Sequence, residues 1–214
     1  MLVKRLIIIA LVLLAIPIDA QEKPGAPHYA PVSPAEILKL LPPAPPNWKI
    51  TSSRASNQVT SWVLTIAQKS LEYTPPPDPA QPSKTPLTMK TSITLIDGGG
   101  EQMSGQFENF KPGVSGSQEN LIINGCPTVI TKESAGRERA VMSINSRFTF
   151  TLVVENQLVG TAKSWAATLD VGKLVAAGKA SAPLAKLPSE VQIELVDELN
   201  PRNNRKTTQE IRVK

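Results

Sequence analysis

The sequence predicts an α+β fold, an antiparallel sheet with short helices packed on one face, preceded by a proline-rich tether. Three observations carry that prediction. Apolar and polar residues alternate with period two in several runs between residues 59 and 155, and turn-forming residues separate the runs. Over residues 161–177 the period lengthens to that of two short helices. Between residues 21 and 46 stand eight prolines in 26 residues, and each removes an amide donor and holds its predecessor extended. Strands followed by helices on one side read as a layered α+β unit rather than a parallel βαβ sheet.

The elements follow in chain order. Lys4 and Arg5 precede an unbroken apolar run over residues 6–16, then Pro17 and the small Ala20, which is the layout of a cleavable secretory signal over 1–20. The run is 11 residues long, short of the ~20 that cross a bilayer as a helix. An uncleaved N-terminal anchor is the other reading. No cysteine follows the run, which argues against lipid-anchored maturation. The tether occupies 21–46, with one short helix at 33–41, where Ser33 caps, Pro34 suits the first turn and Glu36 completes a capping box. Ile37, Leu38 and Leu41 form its apolar face, and so short a helix must dock on the domain or on a partner to persist.

The α+β domain spans 47–180. Residues 59–70 alternate with Trp62, Leu64 and Ile66 on the buried face, and residues 87–96 alternate with Leu87, Met89, Ile93 and Leu95 inward. A second proline-rich loop, 75–86, separates the two runs. Residues 101–120 are polar and broken by glycine and proline, and read as loop. Leu121-Ile122-Ile123 and Thr128-Val129-Ile130 flank Asn124-Gly125-Cys126-Pro127 and read as two short strands around a tight turn. Residues 139–144 and 148–155 form the clearest hairpin, with Ala140, Met142 and Ile144 matched across to Phe148, Phe150, Leu152 and Val154. Two helices follow over 161–169 and 170–177, with Trp165, Leu169, Leu174 and Val175 buried and Gly178 as the stop. Residues 181–214 form a C-terminal hairpin or tail, in which Val191, Ile193 and Leu195 alternate and Ile211 and Val213 could supply the return strand.

Composition narrows the function. Without the signal, 21 basic and 17 acidic side chains remain, a mild net charge of +4 with no long block of one sign beyond the short cluster Arg202, Arg205 and Lys206. Nine aromatics and no basic-aromatic interleaving do not make a nucleic-acid surface. Cys126 is the sole cysteine, so no disulfide forms within the chain and stability must come from a core. Past residue 20 no apolar stretch reaches the length of a membrane-spanning helix, so no stable span is expected after cleavage.

Three stretches together resemble exported bacterial proteins of unknown function with the layout of the PsbP/Mog1-like group. They are Leu41-Pro42 with Trp48 just beyond, Ile123-Asn124-Gly125-Cys126-Pro127-Thr128-Val129, and Arg147-Phe148-Thr149-Phe150 ahead of a Trp-containing helix and Leu169-Asp170-Val171. The resemblance covers residues 41–177 and implies an antiparallel sheet backed by helices; its motifs are turns and core positions, so it implies no catalytic residue. Cys126, where an aromatic is expected, and the loop 75–86 depart from it. Separately, Asp197-Glu198-Leu199-Asn200-Pro201-Arg202-Asn203-Asn204 is similar to the closing hairpin of CARDB-type immunoglobulin-like modules.

The chemistry-bearing residues are few. His28, the single histidine, lies in the tether, where a loop rarely holds a base within reach of a nucleophile. The same scarcity leaves no zinc or copper ligand set, and no cofactor or metal is expected. Cys126, beside Pro127 in a turn, reads as a packed residue rather than a nucleophile, with intermolecular pairing the remaining option. Asp97-Gly98-Gly99-Gly100-Glu101 reads as a turn, lacking the acid spacing of a calcium loop and the lysine of a phosphate loop. Glu133, Glu138, Arg137 and Arg139 read as charges on hairpin rims, and Trp48, Trp62 and Trp165 as core.

The resulting expectation is a periplasmic or secreted, non-enzymatic binding or accessory module of the bacterial envelope, its partner an envelope protein or glycan. No catalytic residue is assigned. A carboxylate-dependent hydrolase of envelope glycans is the first alternative, requiring two of Asp97, Glu101, Glu133 and Glu138 within ~5–10 Å. An immunoglobulin-like adhesion or structural module is the second.

Overall fold

The computed structural model describes residues 28–59, 62–81, 83, 85–99, 107–184 and 188–210. The expected signal, Glu101, and Ile211 with Val213 lie outside the described residues. In chain order the elements are β1 (His28–Tyr29), α1 (Pro34–Lys39), β2 (Lys49–Val59), β3 (Val63–Tyr73), β4 (Met89–Asp97), β5 (Gly113–Ser115) and β6 (Gln118–Ile123). Then come β7 (Cys126–Ser134), β8 (Arg137–Ile144), β9 (Phe148–Glu155), α2 (Thr161–Ala167), α3 (Val171–Ala180), β10 (Pro183–Leu184), β11 (Glu190–Asp197) and β12 (Arg205–Glu210). Ten strands form one antiparallel sheet in the order β12-β11-β2-β3-β4-β9-β8-β7-β6-β5, while β1 pairs separately with β10.

This corrects the expected α+β class. Strands hold 49 % of the described residues and helices 16 %, so the molecule is largely β. The hidden strands explain the error. β2, Lys-Ile-Thr-Ser-Ser-Arg-Ala-Ser-Asn-Gln-Val, buries only Ser53 and Ala55, because α1 lies over it with Ile37 and Leu38 fully buried. Small strand residues make room for large helix residues, and small residues carry no hydropathy signal. β12 is exposed along its whole length, so its side chains show no alternation at all. The stretch read as loop up to residue 120 holds β5 and the first half of β6, near and at the opposite edge. The closing hairpin β11–β12 adds to this same sheet through β2 rather than building a second sheet to face it.

Where strands have one strongly apolar face, sequence and structure agree. Ile144 pairs with Phe148, Met142 with Phe150 and Ala140 with Leu152 across β8–β9. The turn expected over 124–127 is shorter: Asn124 and Gly125, at φ 50° and 78°, join Ile123 to Cys126, and Cys126 and Pro127 already belong to β7. Ser33 caps α1, with its hydroxyl accepting from the Glu36 amide and donating to the Glu36 carboxylate at 2.8 Å. α1 docks on the domain, over β2 and β3. β3 has the expected period but the opposite phase. Thr65, Ala67, Lys69 and Leu71 face the helices, and Leu64 and Ile66 of the expected set lie on the other side, while Trp62 precedes the strand and stacks on His28. The apolar look of the even positions misled, since Leu64 is buried too and Ile66, Ile96, Val141 and Val153 form a half-exposed back face.

Phe148, Phe150, Leu152, Ile93, Leu95, Met142 and Ile144 fill the core under the helices, each such side chain worth ~1.5–3 kcal/mol of burial. Gly178 does not stop the helix; α3 runs on to Ala180. The glycine is there for closeness: a Cβ would sit 3.0 Å from Phe148 Cε2 and 3.3 Å from Cζ. Gly178→Ala is therefore expected to lower stability by about 1–2 kcal/mol in urea unfolding, despite alanine's higher helix propensity; a stabilised variant would refute the packing argument. Among the described residues no helix is long and apolar enough to cross a membrane.

Candidate ligand groove

The charged groups inside the molecule are each bound into the fold. Asp97 ends β4, and Arg147 turns the β8–β9 corner 50 residues on. Arg147 Nε and a terminal nitrogen each donate to one carboxylate oxygen of Asp97 at 2.8 Å. The same guanidinium donates to the Gly178 carbonyl at 2.6 Å, to the Ala30 carbonyl at 3.1 Å and to Ser181 Oγ at 3.0 Å. Asp97 accepts in turn from the amides of Val32 and Gly99 at 2.7 and 2.9 Å. One buried pair thus joins the N-terminal segment, a strand end, a hairpin turn and the end of α3. That clasp holds part of the expected tether against the domain. Tyr29 donates its amide to the Gly99 carbonyl, and the His28 ring stacks on Trp62 at 4.1 Å.

Glu138, expected on a rim, is buried under α2. Its carboxylate accepts from the amides of Gly160 at 3.0 Å and Ala162 at 3.2 Å, supplying the cap that Gly160 cannot. Glu133 does lie at the rim, bridging Arg137 and Arg139. Among the described residues the expected carboxylates do not converge. Asp97 and Glu138 stand opposite Phe148 and Val154 of β9, six residues or about 20 Å apart along the strand, and the Glu133 ion pairs lie on the face away from Glu138. A cluster that the sequence did not single out lies under α1: Ser53 stands opposite Lys69 and donates to Glu198, while Lys69 donates to the Pro42 carbonyl at 3.2 Å. Burial pulls the Lys69 ammonium below its ordinary range, opposed by the charge of Glu198. Serine and lysine are partners in some hydrolases, but here both are buried, the hydroxyl donating to Glu198 and the amine to the Pro42 carbonyl rather than to each other.

Cys126 is buried, and desolvation pushes its thiol above the usual range, away from nucleophilic thiolate. Among the described residues no group of three or more His, Cys, Asp or Glu side chains could hold a metal ion. Of the basic cluster, Arg202 and Arg205 line a hollow with Arg54 and Asp197. Burial pushes the Asp197 carboxyl upward, but the Asn200 amide, the Asn203 side chain and Arg54 outweigh it and hold it low.

Trp165 and Trp48 open onto a different surface. The chain leaves α1 along Pro42-Pro43-Ala44-Pro45-Pro46, a rail fixed at both ends. Lys69 holds the Pro42 carbonyl, and Trp48 donates its amide to the Pro45 carbonyl at 3.1 Å, with Asn47 at φ 68° making the turn. Trp48 stacks on Tyr73 and meets Trp165 edge-on, with ring centroids 5.8 and 5.5 Å apart. Between the rail and α2 runs a groove of about 460 Å³ lined by Pro43, Ala44, Pro45, Pro46, Thr161, Ser164, Trp165 and Thr168. The three hydroxyls donate to the carbonyls of Leu158, Gly160 and Trp165, which leaves them as acceptors toward anything in the groove. Among the described residues no charged side chain lines it. The sequence marked the proline run as a helix stop and Trp165 as core; the meeting of two segments some 120 residues apart had no local signal.

No family model, no curated protein and no solved structure matches the chain.

Proposed function

We propose that the chain acts outside the cytoplasm as a non-enzymatic binding module of the bacterial envelope. Its groove takes up an extended, proline-containing apolar segment of a partner protein. The N-terminal leader supports export. The observation that carries the binding reading is the rigid, uncharged groove itself. A proline rail forms one wall, α2 the other, and Trp165 sits between them. Proline-rich segments are already extended when free, so they lose little entropy on docking, and they offer few amide donors that need partners. The rings of such a segment match the apolar surface of the groove, while its carbonyls stay in water, since the groove hydroxyls already donate to the backbone. The buried charges favour the same reading, since each described one is engaged in holding the backbone.

Tryptophan fluorescence tests this. Titration of the mature chain with a synthetic decaproline is expected to give a saturable change in emission at sub-millimolar peptide, abolished by Ser164→Arg, which places a long cation in the groove. Absence of a saturable change at millimolar peptide, or an unaltered response in Ser164→Arg, would sink the proposal.

A further inference from the structure

On the sheet face away from α1, three arginines meet around one buried aspartate. Arg54 alternates along β2 with Ser53 and Ala55, which lie beneath α1, so it faces the other way and stands opposite Asp197 of β11. Arg205 opens β12 opposite Leu195, on the face that Asp197 shares. Arg202 comes from the single turn of 3₁₀ helix, Pro201–Asn203, between the two strands. With Leu195 and Asn203 these residues line a hollow of about 480 Å³. Asp197 builds this corner and is spent in doing so. One of its oxygens accepts from the amides of Leu199 and Asn200 at 3.1 and 2.9 Å, the other from Arg54 Nε at 3.0 Å and the Asn203 side chain at 3.2 Å. Its own amide donates to Asn204 Oδ1 at 2.6 Å. The loop that carries Arg202 and Arg205 is thereby fixed, and the carboxyl is held low in spite of its burial.

The arginines, in contrast, are not spent. Arg54 gives Asp197 only its Nε, and among the described residues its terminal nitrogens meet no acceptor. Arg202 and Arg205 pair with no carboxylate among the described residues, whereas Lys206 beside them is held by Glu194 at 3.1 Å. Three cations around one anion leave the hollow with two uncompensated positive charges. We infer that the hollow binds a phosphate monoester as its dianion. The planar guanidinium fork fits the paired oxygens of a phosphate. A phosphate monoester also brings close to two negative charges once its second ionisation, at ~6, is passed. A carboxylate or a phosphodiester brings one charge and would leave a cation unmatched. Soluble phosphate and the terminal phosphate of a lipid headgroup present the same oxygens. The site uses no residue of the groove, which lies on the helix side of the sheet.

The test has two arms, one for each source of the phosphate. In the first, inorganic phosphate is titrated into the protein at constant ionic strength and followed by NMR. The Nε–H signals of Arg202 and Arg205 and the amides of residues 202–205 are expected to shift saturably, and chloride is expected to leave them in place. In the second, the protein is sedimented with phosphatidylcholine vesicles, with and without phosphatidic acid. Preference for the vesicles that carry phosphatidic acid assigns the site to a headgroup, and a response to inorganic phosphate alone assigns it to a soluble ligand. Arg202→Gln and Arg205→Gln, each with native circular dichroism, are expected to weaken binding about fivefold. Lys132→Gln, an equal loss of charge on the distant β7, is expected to change nothing. No response in either arm, or arginine variants that bind as Lys132→Gln does, would overturn the site.

Discussion

Replacing Arg147 with alanine is expected to lower stability by about 3–5 kcal/mol, because the change strands a buried carboxylate. Asp97 is fully buried and its two oxygens would keep only the Val32 and Gly99 amides. The Gly178 and Ala30 carbonyls would lose a donor at the same time. The loss should be local as well as global. Amide exchange at Tyr29 and Val32 is expected to quicken well before the sheet amides respond, since the clasp fixes the N-terminal segment. Asp97→Ala alone should also be severe, yet the double variant should be less destabilised than the sum of the singles, as for any pair that shares one interaction. Additive losses in urea unfolding, or unchanged exchange at Tyr29 and Val32, would show that the pair does not act as the clasp.

How much of this could be read from the sequence depends on distance along the chain. The β8–β9 hairpin and the Asn124-Gly125 turn were legible because a one-sided apolar face and a left-handed turn are local properties. β2 and β12 were not. β2 packs small residues beneath α1, and β12 has no buried face, so neither leaves a hydropathy period. β3 shows a subtler failure, in which both faces carry apolar residues and the period alone does not say which one meets the helices. Gly178 was read from helix-ending chemistry, whereas its reason is an aromatic ring 3.0 Å from where a Cβ would stand. The groove was the least legible feature, being made by a proline run and a helix that only the folded sheet brings side by side.

Glu138 connects that scaffold to the groove. Glycine at the N-cap of α2 leaves the first amides of the helix without a side-chain acceptor, and Glu138 reaches over from β8 to accept from Gly160 and Ala162. Glu138→Ala is expected to lower stability by about 2–4 kcal/mol, since two donors lose their partner and the helix dipole loses a buried anion. Glu138→Gln keeps one carbonyl acceptor but not the charge, and should lose about half as much. Because α2 is one wall of the groove, frayed first-turn amides should also blunt the fluorescence response to decaproline in the alanine variant. Urea unfolding and amide exchange at Gly160 and Ala162 measure the first effect and the peptide titration the second. A Glu138→Ala protein of native stability would mean that α2 is set by Trp165 and Ala166 packing alone, and the groove would then owe its shape to the core rather than to the cap.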